Sequence, residues 1–161
     1  MKKTLIRLNE LVYKTELFIG VTMLLAIVFL VFMQVFNRFI LKQPLSWSEE
    51  LARYLFIILV FIGISVATKA RAHFGIDFFL AKLSPSIQKL VGIGTSVVIL
   101  VFLWVIFSKS FILINSAMAQ KSPAMGITVG NLYYTFTIFA VFCSIHVLTN
   151  LIEDLFKENA Q

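Results

Sequence analysis

The residues able to do chemistry in this chain are few, and most lie close together. Gln34, Asn37 and Arg38 close one apolar stretch, Trp47, Glu49, Glu50 and Arg53 open the next, and Lys69, Arg71, His73 and Asp77 follow it. On a helix, Gln34 and Arg38 share a face with Asn37 beside them. Arg53 lies four residues from Glu49 and three from Glu50, so both carboxylates can reach one guanidinium. An Arg38, Glu49, Glu50, Arg53 network could bind an anion or the cationic loop of a partner, or it could staple two helices together. The balance of carboxylates and guanidiniums favours the staple, because the groups satisfy each other. Cys143 is the only cysteine. Disulfide frameworks, CxxC redox chemistry and cysteine metal clusters are therefore excluded, and Cys143 reads as a small buried hydrophobe. His73 and His146 are the only histidines. A haem held between them is disfavoured because His73 falls in or near a loop; His73 has Asp77 four residues on as a partner, and His146 reads as a packed side chain. No nucleophile with a base and no phosphate loop appears, so the expectation is no catalytic, cofactor-binding or metal-binding residue and no enzyme.

The elements that must position these residues are membrane helices. Of 161 residues, 60% are hydrophobic and 14% charged, with a mean hydropathy of +0.94. A soluble globule of this size could not bury so much apolar surface. The 17 phenylalanines suit a lipid-facing surface. The expected fold is an all-α integral membrane protein with four transmembrane helices, about residues 17–41, 47–70, 87–115 and 131–152, in a single membrane domain. The first apolar run lacks a small-x-small cleavage site and outlasts a signal-peptide core, so it is expected to stay as an anchor. Residues 2–14 place Lys3, Arg7, Glu10 and Lys14 on one face and Leu5, Leu8 and Val12 on the other. This predicts a separate interfacial helix before the chain turns into the bilayer. Residues 76–83 repeat the pattern with Ile76, Phe79, Leu80 and Leu83. Ser46 and Glu49 predict a capping box at the start of the second span, and Ser84-Pro85 predict a cap and first helical residue for the third.

The net charge of +6 is spread around the apolar runs and forms no continuous patch, which argues against nucleic acid and for topology signals and contacts with lipid headgroups. With both termini inside, the cytoplasmic side holds Lys2, Lys3, Arg7, Lys14, Lys69, Arg71, Lys82, Lys89 and Lys157. The outer side then holds Arg38, Lys42, Arg53, Lys109 and Lys121. The positive-inside rule selects this N-in, C-in arrangement. It divides the polar stretch into an outer group, Gln34 to Arg53, and an inner group, Lys69 to Asp77, on opposite faces of the membrane. Trp47 is placed to anchor the outer end at the headgroups.

The middles of the spans are aliphatic and aromatic, without the ionisable or broken-helix site of a self-sufficient transporter. A small four-helix exporter, the alternative reading, needs an embedded carboxylate in its first span, and residues 17–41 have none. Gly63 with Ala67, and Gly92 with Ser96, read as small-xxx-small contacts, within the chain or with a partner.

Three runs together carry a family likeness: Gln34-Val35-Phe36-Asn37-Arg38-Phe39; then Ser46-Trp47-Ser48-Glu49-Glu50-Leu51-Ala52-Arg53-Tyr54 with Gly63 after it; and His73-Phe74-Gly75-Ile76-Asp77. They resemble the small permease subunit, DctQ-type, of the TRAP (tripartite ATP-independent periplasmic) transporters, and the likeness extends over nearly the whole chain. The resemblance implies a multi-pass protein of the bacterial inner membrane. It implies as partners a large membrane subunit, which carries the substrate and sodium sites and moves as an elevator, and a periplasmic substrate-binding protein. The small subunit would extend the static scaffold of a sodium symporter for organic acids, with sialic acid the first expectation and C4-dicarboxylates the next. Gln34, Asn37, Arg38, Trp47, Glu49, Glu50, Arg53, Gly63, His73 and Asp77 would then be structural or interface residues. Phe39 and Phe74 stand where the family often has Tyr and Ile, apolar changes of little consequence.

Overall fold

The structure, a computed structural model, describes residues 2–70 and 84–156. Among the described residues four α-helices follow one another: α1 (Lys2–Phe39), α2 (Ser46–Lys69), α3 (Pro85–Ala117) and α4 (Gly130–Phe156). All four are long and apolar enough to cross a membrane. At 1.5 Å per residue α1 is about 57 Å long and α3 about 50 Å, well beyond the roughly 30 Å of a bilayer's hydrocarbon core. Both therefore project past it. The expected interfacial helix at 76–83, together with His73 and Asp77, lies outside the described residues.

The separate interfacial helix expected over residues 2–14 does not form. The chain runs as one helix from Lys2 to Phe39. Residues 14–17 contain neither Gly nor Pro to break it, and Thr15 Oγ1 donates to Leu11 O at 2.9 Å within the same helix. Asn9, in the expected interfacial helix, and Glu16, in the expected turn, both reach the ring of His146 on α4. They are seven residues apart, two helical turns, and so lie on one face only if the helix continues between them.

At the far end α1 stops through backbone geometry. Lys42 takes φ +55, in the left-handed region, and Gln43 N–H donates back to Asn37 O at 3.0 Å. Pro44 follows, and α2 begins at Ser46 with Leu45 as its N-cap. The Ser46–Glu49 capping box is absent, for the N-cap makes no side-chain hydrogen bond and Glu49 pairs with Arg38 instead. Ser48, fully buried, turns its hydroxyl back to Leu45 O at 2.8 Å. At α3, Ser84 is the N-cap residue and Pro85 opens the helix, as the sequence predicts, but Ser84 caps through its carbonyl, which accepts from Ile87 and Gln88 N–H, and its hydroxyl makes no cap bond.

α4 is the centre of the bundle. It packs against α3 and α2 and more lightly against α1, while α1 and α2 pack on each other. The core is Leu103 of α3 among Phe139, Ala140, Cys143 and Val147 of α4, with Phe61 of α2 reaching in from the side. Phe61 meets Phe136 edge-on at 4.9 Å between ring centroids. Such pairs add roughly 1 kcal/mol beyond area burial. Gly20 marks where α1 comes close to α2, since a methyl there would sit 3.3 Å from Ile62 Cγ2. Elsewhere the helices turn large apolar side chains outward, Phe18, Phe32, Leu90 and Trp104 among them. Water would not tolerate that surface; lipid and protein partners do.

A compact connection joins α3 to α4. Lys121 and Thr128 pair as an antiparallel bridge, Gly126 supplies φ +69 at the tip, and Ser122 N–H donates to Ile127 O at 2.8 Å. Only glycine adopts that φ without a steric penalty.

Candidate functional site

Polar side chains gather at the two ends of the bundle. At the end away from the termini, the short α1–α2 turn brings Arg38 onto Glu49, with Nη2 to Oε1 at 3.0 Å. Both side chains are more than half exposed. An exposed pair of this kind contributes little, so a double-mutant cycle of Arg38→Ala and Glu49→Ala should give a coupling energy below about 1 kcal/mol, read from thermal unfolding in detergent. A larger value would mean that this pair is shielded from water.

Glu50, one residue on, points elsewhere, since successive helical side chains diverge by about 100°. It is buried; Oε1 accepts from the Tyr54 hydroxyl at 2.9 Å, and Oε2 accepts from the backbone N–H groups of Ala124 and Met125 at 3.0 Å each. This carboxylate clamps the α3–α4 connection onto α2. The four-member network expected from the sequence is thus divided: Arg38 with Glu49, Glu50 with the connection, and Arg53 exposed and ion-paired with neither glutamate.

Gln34, Arg38, Pro44, Leu45, Ser46 and Glu49 line a cavity of about 110 Å³. Gln34 Nε2 is buried there without a hydrogen-bond partner. Asn37 does not join it, because Nδ2 donates to Met33 O of its own helix at 2.8 Å. Trp47 is partly exposed at the same end. Gly63 faces open space, where an added methyl would meet nothing within 4 Å, so no contact within the described chain uses it.

The other end holds a cluster that sequence reasoning missed. His146 is completely buried, with Nε2 at 2.8 Å from Glu16 Oε2 and Nδ1 against Asn9 Oδ1; Glu16 and Asn9 are themselves 3% and 4% exposed. Around it, Lys69 pairs with Glu10 and lies 4.1 Å from the centre of the Tyr13 ring. Thr68 accepts from Cys143 Sγ at 3.6 Å, and its carbonyl accepts from Asn150 Nδ2 at 2.9 Å. Ser65 Oγ is buried without a partner. His146 read as a packed residue from the sequence; it is instead the polar link between α1 and α4. The signal available was weak: two polar residues at i, i+7 on α1 and one histidine inside the last apolar run. No group of three His, Cys, Asp or Glu suited to a metal ion occurs among the described residues.

The bundle, its charged turn and that turn's motif can now be set beside known proteins. Residues 27–157 match the family described as "Tripartite ATP-independent periplasmic transporters, DctQ component". The chain belongs to this family. A Haemophilus influenzae protein named as a TRAP transporter small permease is 29% identical over 127 residues, 79% of each chain. The sialic acid TRAP transporter small permease protein SiaQ of Vibrio cholerae is 33% identical over 102 residues, 57% of this chain and 59% of SiaQ. A longer Haemophilus influenzae protein, the sialic acid TRAP transporter permease SiaT, is 38% identical over 89 residues, 55% of this chain but 14% of SiaT.

As a DctQ-type small permease the chain is a component of a transporter, and its family is not one of enzymes. It is a multi-pass protein of the bacterial inner membrane, and the permease relatives imply a large membrane partner. The case against a small exporter changes its ground. Glu16, one residue before the expected first span, is a buried carboxylate after all, and family membership now carries the exclusion.

Proposed function

We infer that this chain is part of the stationary scaffold of a sodium-driven TRAP transporter for organic acids, with sialic acid the first substrate and C4-dicarboxylates the next. The observation that carries the reading is where charge is missing. Residues 17–33, 54–68, 90–108 and 132–152, the middles of the four helices, contain no Asp, Glu, Lys or Arg. A chain that moved an anion and sodium across the bilayer by itself would need such groups at depth. Transport chemistry then resides in the large membrane subunit, and this bundle holds that subunit's fixed part in the bilayer.

The sialic acid assignment is supported by the names of two relatives and the C4-dicarboxylate one by a Pseudomonas aeruginosa small permease, 32% identical over 53 residues. SiaT, named a permease protein, matches with 14% of its length, so most of that longer protein lies outside the likeness. The termini lie in the cytoplasm by the count of Lys and Arg. The Arg38–Glu49 end then faces the periplasm, where it and the clamped α3–α4 connection border the docking surface for the substrate-binding protein. Trp47 and the outward phenylalanines meet lipid, and Gly63 lets a partner helix approach closely.

The test is recovery and reconstitution. A tag on this chain should co-purify a larger multispan membrane protein. Liposomes holding both, with the binding protein added, should take up sialic acid in a sodium gradient. Uptake by this chain alone would overturn the scaffold reading in favour of a self-sufficient carrier.

A further inference from the structure

The cavity at the α1–α2 turn has the lining for a ligand that carries both charges. Gln34 and Arg38 of α1 face Ser46 and Glu49 of α2 across a volume of about 110 Å³. One water takes about 30 Å³ of the liquid, so a larger polar fragment fits. Gln34 Nε2 is buried and has no acceptor among the described residues. A donor held in that way costs free energy until an oxygen meets it. Arg38 uses Nη2 on Glu49 Oε1, yet a guanidinium presents five N–H bonds in a planar fork. The remaining edge suits two oxygens of a phosphate. α2 starts at the same place with no capping side chain on its first N–H groups, which adds positive potential there.

A free anion does not match this lining, because Glu49 already balances Arg38 and would face the incoming charge. A zwitterion does match. Its anionic end can take Gln34 and Arg38 while its cationic end takes the second oxygen of Glu49. Position selects the source. Residues 17–33 and 54–68 contain no Asp, Glu, Lys or Arg; Gln34 follows directly on the first run, and Glu49 shortly precedes the second. The cavity therefore lies where hydrocarbon gives way to headgroups. Val31 and Val35, close to Gln34 on α1, are exposed and offer an apolar surface to acyl chains.

We propose that this cavity holds the headgroup of a phosphoethanolamine phospholipid, with its phosphate on Gln34 Nε2 and the Arg38 guanidinium and its ammonium on Glu49. A choline headgroup has the same charges but no N–H to donate to Glu49, and a glycerol headgroup has no cation, so both bind less well. The lipid ties the end of α1 to the start of α2 from outside the chain. This site needs only the placement of the helices in a membrane, and it stands whether or not the bundle serves as a scaffold.

The test reads the fluorescence of Trp47, which adjoins Ser46 of the lining, in the full chain with Trp104→Phe, so that Trp47 is the only tryptophan. In phosphatidylcholine nanodiscs, a small fraction of phosphatidylethanolamine with brominated acyl chains should quench Trp47 as though enriched about tenfold over the same fraction of brominated phosphatidylcholine, the worth of roughly one charge-assisted hydrogen bond. Brominated phosphatidylglycerol should show no such excess. Gln34→Leu removes the orphan donor and Glu49→Gln the partner of the ammonium; each should bring the ethanolamine lipid down to the choline level. Equal quenching by the three lipids with the cavity unaltered overturns the proposal, and so does an excess that survives both substitutions. An excess for the glycerol lipid instead marks a simple anion site and overturns it as well. Loss of the excess on adding water-soluble glycerophosphoethanolamine, in an amount equal to the lipid, would assign the cavity to a free headgroup and overturn the lipid as occupant.

Discussion

Replacing His146 with leucine should destabilise the chain by about 3–5 kcal/mol, the range found when one partner of a buried pair is removed. The leucine fills much of the space but offers nothing to Glu16 or Asn9, which have no access to water where they lie. The loss therefore arises from the groups left behind more than from the group removed. This gives the prediction a second part. Leucine at both Glu16 and His146 should be less damaging than the sum of the single changes, and it should approach wild-type stability where the two leucines pack. Thermal unfolding of all three variants in one detergent measures both parts. Additive losses would mean that the two residues stabilise α1 and α4 independently, against the 2.8 Å contact between them.

What the sequence reveals follows from the distance over which each interaction acts. The four helices were legible because membrane insertion is governed by the average polarity of some twenty residues, a property no single position can hide. The Arg38–Glu49 pair was legible because eleven residues and a Pro-containing turn separate its members, so the two helix ends had to meet. Glu50 was assigned to the wrong partner for the complementary reason. Its acceptors' partners lie 74 and 75 residues away, on a connection whose fold depends on the φ of Gly126. A carboxylate near an arginine in sequence suggests an ion pair, yet the partners of Glu50 are two backbone N–H groups and the Tyr54 hydroxyl. The His146 cluster spans 130 and 137 residues, and the sequence pattern places its α1 members apart, Asn9 in an interfacial helix and Glu16 in the break before the first span. The contact that could have corrected that division was the one sequence could not show.

Glu50→Ala should disrupt the end of the bundle away from the termini far more than Glu49→Ala, although the two glutamates are neighbours with the same formal charge. Removing Glu49 frees the exposed Arg38 to be solvated, and little changes. Removing Glu50 strips the acceptor from the N–H groups of Ala124 and Met125 and from the Tyr54 hydroxyl at once. Hydrogen bonds to an ionised acceptor are about twice as strong as neutral ones. The connection between α3 and α4 should then lift from α2 while the helices remain, since the core around Leu103 is built from side chains of α2, α3 and α4 that include neither Glu50 nor the connection. Trypsin supplies a direct readout at Lys121, which is exposed but pinned by its bridge to Thr128 and so held out of a protease's extended binding mode. Cleavage there should rise at least tenfold in Glu50→Ala and stay near the wild-type rate in Glu49→Ala, roughly as expected where local opening controls proteolysis. Glu50→Gln should fall between them, because the amide oxygen still accepts but carries no charge. Equal cleavage of both alanine variants would show that the connection is held by something other than the Glu50 carboxylate. If docking of the binding protein needs this connection in its clamped form, Glu50→Ala should also lose uptake while still co-purifying the large subunit, and Glu49→Ala should retain it.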